Sequence, residues 1–155
     1  MSLLDGQSSQ FTIGEVIARM ESREPPVISE SASIEEVMRA LVNSRHSRML
    51  NVINDQRQLV GTISLGALSR HAFAQDHEPT VHARSLIGAI SRETAGAIMR
   101  RRPICATADE TIGAVTRRML KANVKEIPVV DAERRVIADI TIVDLLQHLL
   151  AGEPP

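Results

Sequence analysis

The chain repeats itself, and the repeat limits what it can fold into more than any other feature. Leu59-Val60-Gly61-Thr62-Ile63-Ser64 returns as Val136-Ile137-Ala138-Asp139-Ile140-Thr141, a spacing of 77 residues. At the same spacing Leu50-Asn51-Val52-Ile53-Asn54 returns as Ile127-Pro128-Val129-Val130-Asp131. Further back the spacing becomes 78, where Ser33-Ile34-Glu35-Glu36-Val37 falls on Thr111-Ile112-Gly113-Ala114-Val115 and Pro25 meets Pro103. A unit of roughly 60 residues buries so little surface that it is only marginally stable alone. Two copies in one chain therefore predict that the halves pack face to face and share a core.

Each half carries the same signals in the same order. A short apolar run follows a proline, Val27-Ile28 in the first half and Ile104-Cys105-Ala106 in the second, and predicts a strand. Ser33-Ile34-Glu35-Glu36 is a capping box, and Val37, Met38 and Leu41 continue it with helical spacing. Ile112, Val115, Met119 and Leu120 repeat that pattern. Two strands follow, Met49 to Ile53 and Leu59 to Ser64, matched by Ile127 to Val130 and Arg135 to Ile140. Polar turns of hairpin length separate them. A final helix closes each half, giving β-α-β-β-α twice. The expected fold class is therefore α/β (α+β), two tandem repeats packed through their sheets with pseudo-two-fold symmetry. The expected divisions are 12–75 for the first repeat, 76–93 for a helical linker and 94–150 for the second. Thr12-Ile13-Gly14-Glu15 is a further capping box leading a helix; between the halves Pro79 breaks the stretch, and Ser85 to Ile90 and Glu93 to Met99 read as helical.

Composition excludes several functions. The 18 basic and 19 acidic residues nearly cancel, so no global field points to nucleic acid or a membrane surface. Arg100, Arg101 and Arg102 form the one basic cluster, expected at a solvated helix end. No apolar run approaches membrane-spanning length, and the beginning lacks a signal-peptide pattern, so a cytoplasmic location is expected. Cys105 is the single cysteine, which excludes an intramolecular disulfide. The five histidines are scattered, and His77 and His82 do not have a helical ligand spacing. No phosphate loop of the Gly-rich kind occurs, and no metal or catalytic group is expected; the chain does not read as an enzyme. With two Phe and no Tyr or Trp, a bound base must be held by aliphatic side chains and backbone.

Lys125-Glu126-Ile127-Pro128-Val129-Val130-Asp131, followed by Val136 to Leu146, resembles the ending of a CBS domain: hydrophobic-Pro-Val-Val-Asp, a turn, then Gly-x-hydrophobic-Thr-x-x-Asp-Leu. The first half matches more loosely, and the resemblance runs from about Ile13 to Leu150. It implies a CBS-domain pair, or Bateman module: a non-catalytic regulatory unit with a cleft between its repeats. Such clefts take AMP, ADP, ATP or S-adenosylmethionine, with no cofactor required. The resemblance also implies a homodimer that signals to an effector protein, with neither membrane nor nucleic acid as partner. The competing reading is a ligand-free pair acting as a dimerisation or protein-interaction platform.

Thr141 ends a strand and opens the last helix, where its hydroxyl and the free amides can meet phosphate. Asp144, one turn on, can accept hydrogen bonds from both ribose hydroxyls. The same Thr-x-x-Asp also serves as a helix cap worth about 1 kcal/mol without any ligand. The resemblance places adenine against Ile127 and Pro128, with Ile104 and Cys105 opposite and Val124 nearby, and aims Lys125 and Arg48 at phosphates. In the first half Ala67 stands at the position of Asp144 and Asn51 at that of Pro128, so one competent site is expected, in the second half. There Ala138 replaces the usual glycine, crowding a close approach, and Asp139 puts a charge on an apolar strand.

Overall fold

A computed structural model describes residues 10–74 and 93–151. Its elements run α1 (Ile13–Arg19), β1 (Val27–Ser29), α2 (Ile34–Asn43), β2 (Met49–Ile53), β3 (Leu59–Ser64) and α3 (Leu65–Ala74). After the undescribed stretch come α4 (Ala95–Ile98), β4 (Arg100–Arg101), α5 (Ile112–Ala122), β5 (Glu126–Val130), β6 (Val136–Thr141) and α6 (Ile142–Ala151). The helix expected over Ser85 to Ile90, the break at Pro79, His77 and His82 all lie outside the described residues. Among the described residues no helix is long and apolar enough to cross a membrane.

Contacts divide the chain into two compact units, one continuous and one built from two separate stretches. One is Pro26–Pro103; the other joins the chain up to Pro25 to the chain from Ile104 onward. The leading helix therefore belongs with the second repeat. Its start is tied there by backbone bonds: Ile13 N donates to Glu110 O (2.8 Å), Gly14 N to Ala108 O (2.9 Å), and Ile112 N returns to Phe11 O (2.8 Å). In the other unit, α4 is bound to the first repeat by Ala95 N to Ala32 O and Gly96 N to Glu30 O, both 2.8 Å.

Helices α1 and α2 begin at capping boxes, as their sequences predict. Glu15 N donates to Thr12 Oγ1 at 3.2 Å, and Glu36 N to Ser33 Oγ at 3.2 Å, while both glutamates accept from their cap amides at 2.7 Å. Apolar faces then bury against the sheets. Ile34, Val37 and Leu41 join Leu50, Val52, Ile63 and Leu68 in one core. Ile112, Val115 and Met119 join Ile13, Val16, Ile127, Val129, Ile140 and Leu145 in the other.

The unit Pro26–Pro103 forms a four-stranded sheet in the order β1-β2-β3-β4, with β1 parallel to β2 and the other pairs antiparallel. Among the described residues of the other unit, the sheet is the β5-β6 hairpin. The strand expected at Ile104-Cys105-Ala106 is reduced to a single parallel bridge, Ala106 with Val129. Proline explains the loss. In the first repeat Asn51 N donates to Pro26 O at 2.9 Å, extending the parallel pairing. Pro128 stands at Asn51's position and has no N–H to give. Only Ala106 N to Pro128 O (3.0 Å) and Val130 N to Ala106 O (2.9 Å) remain.

The arginine cluster also differs from expectation. Arg100 and Arg101 are not at a helix end but in β4, opposite Thr62 and Gly61, with exposed side chains, and Arg102 turns to a φ of 55°. Gly61 permits this pairing: a Cβ there would lie 2.8 Å from Arg100 O and 2.4 Å from Met99 Sδ. Ala138, the equivalent in β6, carries that methyl, and no edge strand lies beside it. We expect Gly61→Ala to lower stability by about 1–3 kcal/mol through overpacking, measured by urea unfolding. Ala138→Gly, where no strand presses, should cost less, leaving only the added chain entropy of glycine, about 1 kcal/mol.

Candidate ligand site

Strand β6 passes into α6 without a loop, and the junction places Thr141 and Asp144 together. Asp144 N donates to Thr141 Oγ1 (3.1 Å), while Thr141 N (2.8 Å) and its hydroxyl (2.9 Å) both donate to Asp144 Oδ2. The helix-cap geometry is therefore present in full. Asp144 is buried, however, and a buried carboxylate needs more than a cap.

Arg23 supplies it. Its guanidinium forks onto Asp144, Nη2 to Oδ2 at 2.7 Å and Nη1 to Oδ1 at 3.2 Å. It also reaches Asp139, through Nε to Oδ1 (3.4 Å), Nη2 to Oδ2 (3.4 Å) and Nη2 to the backbone oxygen (3.1 Å). Asp139, the charge that looked misplaced on an apolar strand, is 3% exposed and owes its tolerance to this pair. Burial works against the charge on Asp144, but the bonds from Arg23 and from the Thr141 amide and hydroxyl outweigh it and hold the carboxyl below its ordinary range. The hydrogen bond to Asp144 in turn raises the Arg23 pKa.

Arg23 escaped the sequence reading, although a signal was available. It lies two residues before Pro25 and so occupies the position of Arg101 in the repeat register. Two acidic residues at buried positions of β6 and α6 also demand a cation from somewhere. In the first repeat Ser64 Oγ accepts from Ala67 N at 3.0 Å, so the cap survives there without a carboxylate, as Ala67 implied.

The other expected residues are placed as follows. Ile127 and Pro128 are buried in β5, with Ile127 part of the core. Val124 and Ile104 are half-buried and pack on that core. Cys105 is half-buried with a free thiol, and its carbonyl accepts from Arg118 Nη1 at 2.6 Å. Lys125 is exposed, and its carbonyl receives the first amide of α6, Ile142 N, at 2.8 Å. Arg48 lies in the other unit, exposed before β2, and its carbonyl receives Leu65 N at 2.7 Å in the equivalent way.

A cavity of about 380 Å³ opens beside the Arg23–Asp144 pair. Val16 and Met20 of α1 and its extension form an apolar wall; Arg19, Arg23, Asp144 and His148 supply polar groups. His148 is buried with its ring edge against Phe11, centroids 5.1 Å apart, and Nε2 has no hydrogen-bond partner. Burial, reinforced by Arg19 and opposed by Glu15, lowers the His148 pKa. Among the described residues no cluster of three or more His, Cys, Asp or Glu side chains could hold a metal.

The CBS-domain family model matches residues 13–73 and 95–151, and the chain belongs to that family. Solved structures agree on the fold. A CBS domain-containing protein from Thermotoga maritima has a TM-score of 0.73 at 23% identity, covering 94% of this chain and 99% of that one. CBSX2 from Arabidopsis thaliana gives 0.72 at 24% identity, covering 91% and 95%. The CBS domain pair of protein MJ0100, in complex with 5′-methylthioadenosine and S-adenosyl-L-methionine, gives 0.67 at 26% identity, covering 91% and 99%. No curated protein matches the chain significantly.

Two outcomes follow from the buried charges. Arg23→Ala leaves Asp139 and Asp144 without their cation and should cost about 3 kcal/mol in urea unfolding. Acid should then act through Asp144 and His148. Folding lowers the Asp144 pKa, so its contribution is complete above the unfolded value near 4 and is lost as pH falls through the depressed folded value. Folding also lowers the His148 pKa, so the buried neutral imidazole favours the folded state above about pH 6.5 and loses that advantage as pH falls from there. Unfolding curves from pH 7.5 to 3 should show both losses, with His148→Gln removing the upper one and Asp144→Asn the lower.

Proposed function

We propose that this chain is a non-catalytic regulatory module that binds an adenine nucleotide or related adenosyl ligand through its second repeat and signals to an effector protein. The observation that carries the reading is the ionised, buried Asp144 held beside Thr141 at the amino end of a ten-residue helix. A carboxylate fixed there offers two oxygens to a ribose diol, and the positive end of the α6 dipole favours a phosphate. Ile127 and Pro128, with Val124, Ile104 and Cys105, supply the aliphatic surroundings for the base that an aromatic-poor chain must use, and Lys125 supplies charge for a phosphate. Structures of similar fold support the ligand class: CBSX2 is known in complex with AMP, and the MJ0100 pair with two adenosyl sulfur compounds.

A calorimetric titration with AMP, ADP, ATP and S-adenosylmethionine tests this. The expected result is micromolar binding of at least one, weakened by about tenfold or more (1.4 kcal/mol) in Asp144→Ala. No heat and no thermal shift with any of the four overturns the reading.

The second reading, an interaction platform, is favoured by one observation: Val143, Leu146 and Leu150 line one exposed face of α6. Homodimer formation is part of both readings. Sedimentation analysis should give a dimer that Leu146→Glu with Leu150→Glu weakens if this face carries the contact.

A further inference from the structure

The oxygens that make Asp144 a ribose acceptor are already taken. Oδ2 accepts from Thr141 N, the Thr141 hydroxyl and Arg23 Nη2; Oδ1 accepts from Arg23 Nη1. A carboxylate has about four lone-pair sites, and a diol needs two of them in roughly the plane where the guanidinium now forks. Thr141 belongs to the same helix start and gives up nothing by staying. Arg23 is the partner that must move.

Arg23 can move without being stranded. It retains Asp139 through Nε and Nη2, and the cavity of about 380 Å³ beside it gives the side chain room. Its place in the chain matters as much. Arg23 stands in the short segment leaving α1, and the boundary between the two compact units falls between Pro25 and Pro26. The side chain that holds Asp144 is therefore fixed to the covalent connection from one unit to the next. Pro25 and Pro26 fix two φ angles of that connection.

We propose that Arg23 is an intramolecular competitor for the ligand: it closes Asp144 when the repeat is empty, and a nucleoside binds by displacing it from Asp144, leaving the segment that joins the units held through Asp139 alone. This rests on the reading of Asp144 as the ribose acceptor. Two charge-assisted hydrogen bonds oppose ligand entry, so the intrinsic affinity of the site exceeds the observed one. The same exchange gives the module its output, because the ligand-free and ligand-bound states differ in what anchors the connector.

Adenosine, which has the diol and no phosphate, is the probe. Calorimetry on the full chain compares wild type, Arg23→Ala, Asp144→Ala and the double variant Arg23→Gln with Asp139→Asn. The double variant replaces the Asp139 carboxylate together with its Arg23 partner and keeps the fold testable if Arg23→Ala unfolds. The expected result is adenosine binding at least about tenfold tighter without Arg23, and none without Asp144. Adenosine binding equal in wild type and the double variant overturns the competitor while leaving the ribose reading intact. AMP binding that weakens without Arg23, with adenosine unchanged, makes Arg23 a phosphate contact and also overturns it. Adenosine and AMP binding to none of the proteins overturns the ribose reading and this proposal together.

Discussion

One guanidinium shared by two buried carboxylates holds the second repeat in the form described. Asp139 and Asp144 lie on successive elements, and Arg23 meets both of these buried carboxylates. The arginine arrives from the far end of the sequence, carried by the segment that follows α1. The ion pair therefore does what the backbone bonds from Ile13, Gly14 and Ile112 do: it fixes the leading helix to a repeat more than 100 residues away in the sequence. Those bonds set where α1 starts; Arg23 sets how its extension leaves.

The two repeats share a pattern, and four of the equivalent positions at which they differ bear directly on their different structures. Gly61 admits an edge strand, whereas Ala138 presents a methyl where that strand would press. Asn51 has an amide to continue the parallel pairing, whereas Pro128 has none. Thr62 is a neutral residue facing β4, whereas Asp139 is a charge whose carbonyl is met by the Arg23 side chain instead of a strand. Ala67 leaves the helix cap plain, whereas Asp144 adds a carboxylate. The second repeat thus has a smaller sheet and a polar junction for the same chain length.

Much of this was legible in the sequence, because the signals were local. Capping boxes at Thr12 and Ser33, apolar spacing along α2 and α5, and turns of Asn and Asp between strands all concern neighbours within a few residues. The repeat then fixed the order of elements. What the sequence concealed depends on contacts between distant segments. The lost strand at Ile104 turns on an amide absent from Pro128, a fact visible only when the parallel partner is known. The arginine cluster reads like a helix end until Gly61 is seen to let it pair as β4. Arg23 was hidden because its partners lie 116 and 121 residues away. A buried acid announces a missing cation, but not which cation.

This division has a consequence for how a ligand could be sensed. A cap formed by Thr141 and Asp144 is local, and it persists whether or not anything binds. The bond from Arg23 to the same carboxylate is long-range, and its loss changes what holds two distant parts of the chain together. A ligand that met only the cap would bind without effect, since it would have equal affinity for both arrangements. A ligand that takes Asp144 from Arg23 distinguishes them by two charge-assisted hydrogen bonds. Binding energy can become a signal at this junction because the local and the long-range interactions converge on one carboxylate.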